Sequence, residues 1–519
     1  MFSLSIHDAN MSADRSTNAI DGRFVHHQLL IDCLLRMEPT KNDKHEFLTY
    51  CRKTYHDPKD IKTINEFERT YRSDCALSWY TKDAILYRVL NQSLRRQDID
   101  VLFTLRFFIR DLQDELTKRQ CKNPTTLYRG QRISQDELTI LKQSQGKLIS
   151  TNSFLSTTIY SDIACRFCSP SANDDKYENV TFEINVLEYR DGMKPFANIE
   201  TLSDFPQENE TLMMLGSVFR LDKIEQNSEQ IWIISMTLCS DSDHDLQAVF
   251  DHMRTQYESG QTRLLLFGHV LVDMAHFNDA EKYYFRLLNE ISTNHPDRSK
   301  CYHALGKVAC EKGDYQQSLH WLNKALELTK INFGENHSKL GFIYLSIGEV
   351  YQKQRAYELA FDVFERAQII WTNVYHAKHE YVAWCLNNIG MIHDARKNYK
   401  RALKYLSDAL EIKRRCLPSK HPCLGNTYLN LGNVYYNLRD YDRALKNYNE
   451  AYRIYESSLP YEHPSVASAG RNIGLVYEKK NQREKALSYY EKCAQIRSER
   501  YSQTHPDNIE INRDVKRVK

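Results

Sequence analysis

Residues 337–378 read HSKLGFIYLSIGEVYQKQRAYELAFDVFERAQIIWTNVYHAK, and the pattern of this stretch recurs every 42 residues along the second half of the chain. The glycine of its first half occurs five times at that interval, as Gly306, Gly348, Gly390, Gly432 and Gly474. Histidine recurs in the same way, as His295, His337, His379, His421, His463 and His505. A long internal period of this kind is typical of a solenoid, in which each unit packs on its neighbours.

Each unit of the repeat contains two helical patterns. Apolar and aromatic residues have helical spacing around the glycine, as at Ile343, Ile347 and Tyr351, and a second such run follows around Phe364. We therefore predict two antiparallel helices per unit, which the glycine and the alanines of the second run allow to approach closely. Proline follows four of the histidines. The His-Pro step is expected to end the second helix, because proline disfavours helical geometry in the residue before it.

The glycine, tyrosine and alanine positions of this unit resemble the tetratricopeptide repeat, and the long period is similar to that of kinesin light chain repeats. The resemblance implies an all-α solenoid of six units over residues 262–503, followed by a partial capping helix and basic tail over 504–519. Its concave surface is expected to bind a protein or peptide. A metal site on the repeated histidines is disfavoured, because ligands must converge and these are spread along the stack. We predict no metal, and a role for the histidines in fixing the linkers.

Bulk composition excludes several classes of partner. The 519-residue chain has 70 basic and 68 acidic side chains, so its net charge of +2 creates no field that would draw it to nucleic acid or an anionic membrane. The longest charge-free apolar run, from Leu264 to Val272, is far shorter than the ~20 residues of a membrane-spanning helix. The amino terminus has neither the basic start nor the apolar run of a signal peptide. The sequence therefore predicts a soluble protein of the reducing cytoplasm.

The first half of the chain has a different texture. Helical patterning over residues 21–120 gives way, from residue 121, to short runs rich in β-branched and aromatic residues. These runs predict strands at 125–128, 180–186, 217–221 and 231–238. A helical lobe over 21–120 and a β-rich lobe over 121–240 indicate one α+β domain. Residues 1–20 are expected to be disordered, and residues 241–261 to form a linker to the repeats.

Three short motifs follow one another in this domain. They are Leu127-Tyr128-Arg129-Gly130, Ser153-Phe154-Leu155-Ser156-Thr157-Thr158 and Glu208-Asn209-Glu210. Each alone is weak, because an arginine at a strand end, a hydroxyl cluster or two acids in a loop also occur as solvated or capping groups. In this order and at these intervals they resemble the active-site elements of arginine-directed mono-ADP-ribosyltransferases, in the arginine-serine-glutamate branch.

This resemblance implies that the α+β domain has an NAD-binding core and consumes NAD, or NADP in its place, as a substrate, without a prosthetic group. Arg129 would bind the pyrophosphate through paired hydrogen bonds, and Gly130 would let the backbone approach it. Glu210 would stabilise the oxocarbenium-like sugar that forms when nicotinamide leaves. Ser156 would hold NAD and Glu210 in register, and Glu208 would orient and deprotonate the acceptor arginine.

Two further residues belong to matching segments. Tyr87 and Ser203 are implied as NAD contacts, with a purely structural role equally open for each. A Rossmann-type NAD site is not indicated, because no Gly-x-Gly-x-x-Gly follows a predicted strand.

The leading hypothesis is an enzyme that transfers ADP-ribose from NAD to arginine side chains of target proteins recruited by the repeats. One alternative is an NAD glycohydrolase, in which water takes the place of the acceptor; Glu208 disfavours it. Another is a repeat scaffold whose transferase domain is inactive, which the complete set of Arg129, Ser156, Glu208 and Glu210 disfavours.

Overall fold

Two compact units make up the chain, one of residues 1–20 and 31–247 and the other of residues 21–30 and 248–519. The computed structural model describes residues 17–19, 22–37, 40, 42–82, 85–151, 153–167, 177–190, 192–204, 206–240, 262–459, 463–500 and 506–519. The linker predicted over 241–261 lies outside the described residues. So does most of the stretch predicted to be disordered, but its residues 17–19 form a short strand.

Helices dominate the chain before the main sheet, as the sequence predicts. They are α1 (Gly22–Arg36), α2 (Asp43–Thr54), α3 (Pro58–Thr70), α4 (Ala76–Thr81), α5 (Ile85–Arg96), α6 (Ile99–Thr104) and α7 (Arg106–Lys118). Sequence signals explain several boundaries: the side chain of Asp57 caps α3 ahead of Pro58, and that of Asp98 caps α6. The fully buried ring of Phe67 packs edge-on against Trp79 of α4 and Phe108 of α7. These aromatic contacts join α3, α4 and α7.

A mixed sheet forms the second lobe of this unit. Its strands in the described residues are β1 (Thr17–Ala19), β2 (Thr125–Ser134), β3 (Leu148–Thr151), β4 (Leu155–Thr158), β5 (Tyr177–Val186), β6 (Phe196–Asn198), β7 (Glu210–Met213), β8 (Val218–Gln226) and β9 (Trp232–Cys239), with helices α8 (Gln135–Gln143) and α9 (Ser161–Arg166) between strands. Their order is β1-β3-β8-β9-β5-β2-β4-β7-β6. The β5–β9 pair is parallel and the others are antiparallel. This order sets β2, β4 and β7, which carry the three motifs, side by side.

The four strands predicted from the sequence are present as β2, β5, β8 and β9. The other five have only three or four residues each. Such runs are too short to show the alternation that identifies a strand. The core of the sheet is apolar, and includes Leu127, Phe182, Phe219 and Met236.

Paired helices occupy the second half of the chain. They are α10 (Arg263–Asp273), α11 (Phe277–Glu290), α12 (Asp297–Glu311), α13 (Tyr315–Phe333), α14 (Ser338–Lys353), α15 (Tyr357–Tyr375), α16 (Glu380–Ala395), α17 (Tyr399–Cys416), α18 (Pro422–Asn437), α19 (Tyr441–Ser458), α20 (Pro464–Lys479) and α21 (Arg483–Arg500), followed by α22 (Pro506–Val518). The predicted fold class, an α+β domain followed by stacked helix pairs, is confirmed. Among the helices named here, none combines the length and apolar composition that crossing a bilayer requires.

The periodic glycines lie where the two helices of a unit are closest. A Cβ atom on Gly306 would lie 2.6 Å from Cγ of Leu322, and one on Gly432 would lie 2.5 Å from the ring of Tyr448. Both partners are buried in the second helix of the same unit. Any side chain at this position would therefore displace a packed residue, which explains why glycine recurs there in each of these units.

The periodic histidines begin a helix rather than end one, so the prediction that the His-Pro step ends the second helix was wrong. Helix α17 ends at Cys416, and Nδ1 of His421 accepts a hydrogen bond from the backbone N–H of Cys423 at 3.3 Å, in the first turn of α18. The same bond forms at His295, His337, His379 and His463. The imidazole nitrogen thus accepts a hydrogen bond from one of the backbone N–H groups that have no partner within the helix at its start. Proline is tolerated in that first turn, because the N–H it lacks would have no partner within the helix. His505 lies outside the described residues.

Replacing His421 with asparagine tests this capping role through the pH dependence of stability. Burial lowers the pKa of His421 to about 4, whereas an exposed histidine titrates near 6.5. The folded state therefore binds fewer protons than the unfolded state between these values, and its contribution to stability is lost as the pH falls through them. Asparagine retains a capping acceptor without titrating. Between pH 7 and pH 4, we expect the free energy of unfolding of His421→Asn to fall less than that of the parent, by on the order of 3 kcal/mol.

Denaturant unfolding followed by circular dichroism at pH 7, 5.5 and 4 measures this difference. The matched control is His376→Asn, at an exposed histidine between two repeats. Equal pH dependence of the parent and His421→Asn would contradict a buried imidazole that must stay neutral to accept the capping hydrogen bond.

Candidate active site

The three motifs meet on three adjacent strands toward the β6 end of the sheet. Arg129 lies on β2, Ser156 on β4, and Glu210 is the first residue of β7. Thr158 of β4 pairs with Tyr128 on one side and with Glu210 on the other. Segments far apart in the chain therefore present their polar side chains within one small region, because antiparallel pairing places them on adjacent strands.

Two serine hydroxyls hold the carboxylate of Glu210. Oγ of Ser156 donates to Oε1 at 2.6 Å, and Oγ of Ser203 donates to Oε2 at 3.0 Å. The backbone N–H of Ser203 donates to the carbonyl of Ile199. The backbone N–H of Ile199 donates in turn to the carbonyl of Glu210. The side chain of Glu210 is only 3% exposed. Its two oxygens are thus fixed in position before any substrate binds.

The protonation of Glu210 reflects two opposing effects. Burial raises the pKa of its carboxyl, while the hydroxyls of Ser156 and Ser203 and the positive charge of Arg129 lower it. The net direction is upward. Chemistry that needs the carboxylate is therefore expected to decline as the pH falls through this raised pKa.

Arg129 is anchored through part of its guanidinium. Nε donates to Oε1 of Gln131 at 2.9 Å, and Nη1 donates to the carbonyl of Ser156 at 2.8 Å. A guanidinium has five N–H groups, and in the described part of the chain these are the hydrogen bonds that Arg129 makes. Its remaining N–H groups can therefore bind an anion such as a phosphate. Burial lowers the pKa of Arg129, but a guanidinium stays charged in proteins.

Tyr80 and Tyr87 form the wall beside Arg129. The Tyr80 ring is 1% exposed and packs on the rings of Tyr87 at 5.2 Å and Phe154 at 5.4 Å, measured between ring centroids. The side-chain amide of Asn91 donates to the Tyr80 hydroxyl at 3.2 Å. Burial raises the pKa of Tyr80 well above its usual value, and the charges of Glu210 and Arg129 also act on it. Tyr80 is therefore near enough to both side chains for their charges to act on its hydroxyl.

Glu208 lies at the end of a short 3-10 turn, Pro206–Glu208, just before Glu210. Its carboxylate is partly buried, and its pKa is raised first by burial and then by the negative charge of Glu210. In the described residues its side chain forms no hydrogen bond or ion pair. Gly130, the other residue of the arginine motif, lies in β2 opposite Thr181 of β5.

The structure thus brings Arg129, Ser156, Ser203 and Glu210 into one hydrogen-bonded group. Ser203 uses its hydroxyl hydrogen on Glu210, which gives it a role in orienting that residue. Sequence reasoning did not select Gln131 or Tyr80 as site residues. Gln131 could have been found, because residues two apart on a strand share a face and it stands two places after Arg129. Tyr80 could not have been found in this way, since its approach to Arg129 depends on how helix and sheet pack.

Comparison with protein families agrees with this geometry. Residues 59–245 match the model of the ADP-ribosyltransferase exoenzyme family. Residues 299–338, 340–415 and 423–499 match tetratricopeptide repeats. The chain carries an ADP-ribosyltransferase domain followed by tetratricopeptide repeats. NAD is the substrate of this enzyme family, and the repeats are of a kind that binds other proteins.

Several solved structures are similar to this chain. One is the Vis toxin of Vibrio splendidus, with 20% identity over 41% of this chain and 93% of that one and a TM-score of 0.28. Another is the ADP-ribosyltransferase HopU1 of Pseudomonas syringae, with 20% identity over 39% of this chain and 100% of that one and a TM-score of 0.28. BtubC of P. vanneervenii has 22% identity over 44% of this chain and 90% of its own, with a TM-score of 0.33. No curated protein matches the chain significantly.

The residues of the ADP-ribosyltransferase site fit NAD as a substrate. The open N–H groups of Arg129 suit a pyrophosphate, and the fixed carboxylate of Glu210 suits a ribose that develops positive charge. Both groups are already held by hydrogen bonds within the protein.

Removing the Ser156 hydroxyl should change both the rate and its pH dependence. Ser156→Ala deletes a hydrogen bond that favours the ionised form of Glu210, so the pKa of Glu210 rises further above its usual value. We expect NAD consumption at neutral pH to fall roughly 10- to 100-fold and the acidic limb of its pH profile to move to higher pH. Ser153→Ala, in the same motif but without a contact to Glu210, is the control. An unshifted acidic limb in Ser156→Ala would show that this bond does not tune the carboxylate.

Proposed function

We propose that the ADP-ribosyltransferase domain transfers ADP-ribose from NAD to arginine side chains of cytoplasmic proteins, which the repeats recruit. The observation that carries the arginine acceptor is the pair of carboxylates separated by one residue. Glu210, the first residue of β7, is held by two serines, and Glu208 lies two residues earlier with its carboxylate open to an acceptor.

The chemistry divides between these side chains. The bond between nicotinamide and C1′ of the ribose breaks, and its electron pair leaves with nicotinamide. The positive charge that develops on the sugar faces the carboxylate of Glu210, which stabilises it. Arg129 holds the pyrophosphate and so fixes the sugar relative to Glu210. A guanidine nitrogen of the acceptor then bonds to C1′ and loses a proton.

Glu208 is the group suited to receive that proton. A protonated guanidinium is a poor nucleophile, so the acceptor needs a base within hydrogen-bonding distance. Burial and the neighbouring charge of Glu210 raise the pKa of Glu208, which makes it a stronger base than an exposed glutamate. Its negative charge also attracts and orients the cationic acceptor.

NAD hydrolysis is the second candidate function. The hydrogen-bonded group of Arg129, Ser156 and Glu210 stabilises the sugar cation without help from Glu208, so water can also capture it. The two functions therefore share Glu210 and differ in their need for Glu208.

Labelled NAD and agmatine, a small guanidine, distinguish these functions. We expect the parent chain to form ADP-ribosylated agmatine and Glu210→Gln to lose NAD cleavage by on the order of 100-fold or more. Glu208→Gln should lower transfer to agmatine roughly 100- to 10,000-fold while still releasing free ADP-ribose. The separated products are measured by chromatography. Free ADP-ribose as the sole product of the parent would refute the arginine acceptor and favour hydrolysis.

A comparison of the full chain with a fragment of residues 1–247 tests the role of the repeats. This range retains helix α1 and all nine described strands of the sheet, and it contains the whole family match. If the repeats concentrate the target near the active site, the fragment should modify agmatine at the parent rate. Its modification of proteins in a cell extract should fall, because the effective concentration of the target is lost. If both activities fall equally, or if neither falls, recruitment of the target by the repeats is contradicted.

A further inference from the structure

The residue between the two glutamates has an unusual backbone conformation. Asn209 adopts φ 45°, in the left-handed region that asparagine tolerates better than most residues with a side chain. Its backbone N–H donates to the carbonyl of Pro206 at 3.1 Å, which closes the 3-10 turn. The chain therefore changes direction at Asn209, between the end of the turn at Glu208 and the start of β7 at Glu210.

The side chain of Asn209 is bonded at both ends. Nδ2 of Asn198 donates to its Oδ1 at 3.1 Å, and its own Nδ2 donates to Oε2 of Glu200 at 2.7 Å. Oδ1 of Asn198 also accepts from the backbone N–H of Glu200 at 3.0 Å. We call this group of Asn198, Glu200 and Asn209 the asparagine clamp. It ties the loop of the two glutamates to the end of β6.

The two glutamates depend on the clamp to different degrees. Glu210 belongs to β7 and is held by Ser156 and Ser203 independently of Asn209. Glu208 has no hydrogen bond or ion pair to its side chain within the described residues, so no polar contact of its own holds its carboxylate, whose position follows that of the backbone. That backbone is set by the turn and by the left-handed residue that follows it.

We propose that Asn209 is a positioning residue for Glu208, and that the asparagine clamp sets the partition between transfer to a guanidine and hydrolysis of NAD. This inference rests on the proposed arginine acceptor. With the clamp intact, Glu208 lies where it can take the acceptor proton. Without it, Glu208 is displaced while Glu210 still stabilises the sugar cation, and water captures that cation instead.

The experiment measures ADP-ribosylated agmatine and free ADP-ribose from labelled NAD in the full-length protein. Asn209→Ala removes both side-chain bonds and disfavours the left-handed backbone, so we expect transfer to fall roughly 10- to 100-fold while hydrolysis is retained. Asn209→Gly permits the backbone conformation without the clamp, and should lie between the parent and Asn209→Ala. Glu200→Ala should shift the products in the same direction, and Glu200→Gln, which keeps an acceptor for Asn209, should restore the parent ratio. Thr201→Ala, at an exposed position of the same loop, is the control.

The outcomes separate this inference from the proposed function. If transfer and hydrolysis fall together in Asn209→Ala, the residue merely supports the fold around Glu210 and the inference is overturned. An unchanged product ratio overturns it as well, with the arginine acceptor intact. If the parent does not modify agmatine at all, the proposed acceptor is wrong and the inference falls with it. Retained hydrolysis in each variant shows at the same time that the chain is folded.

Discussion

The hydrogen bond from Ser156 to Glu210 is the contact on which the active site depends. Ser156 uses its hydroxyl on Glu210 and its backbone carbonyl on Arg129, so one residue fixes the distance between the acid and the guanidinium. The register of β4 with β7 supports this arrangement, and the hydroxyl of Thr157 donates to the carbonyl of Thr211 at 2.7 Å beside it. A buried carboxylate is unfavourable unless it is hydrogen-bonded and near an opposite charge. Ser156 and Arg129 meet both conditions at Glu210.

The sequence predicted those residues of the transferase site that belong to recognisable motifs. Arg129, Ser156 and Glu210 are drawn together because each stands on a strand, and the strand order makes β2, β4 and β7 neighbours. The sequence did not predict the side-chain hydrogen bonds of Ser203 and Asn209. Ser203 reaches Glu210 through a loop whose path follows from backbone bonds at Ile199, and the clamp of Asn209 needs a side chain from the end of β6. Loop geometry of this kind has no periodic signal in a sequence.

In the repeats, the periodicity of the sequence alone was enough to predict the helix pairs. The glycine of each unit was correctly interpreted as a point of close approach, because a missing side chain has a direct steric meaning. The histidine was placed at the wrong helix end. Serine, threonine, aspartate and asparagine are the residues usually found at a helix start, and a histidine there gives no comparable signal. Nδ1 lies close enough to the backbone to accept the same hydrogen bond, as the geometry at His421 and His463 shows.

The two glutamates of one loop differ because their surroundings differ. Burial raises the pKa of both, but Glu210 has two hydroxyl donors and a guanidinium that favour its charged form. Glu208 has instead the negative charge of Glu210 as its neighbour, which raises its pKa further. In the proposed transfer, Glu210 would therefore remain a carboxylate against the developing cation, and Glu208 would take up a proton from the acceptor. Two identical side chains, separated by one left-handed asparagine, can thus divide the electrostatic and the acid–base parts of a single transfer.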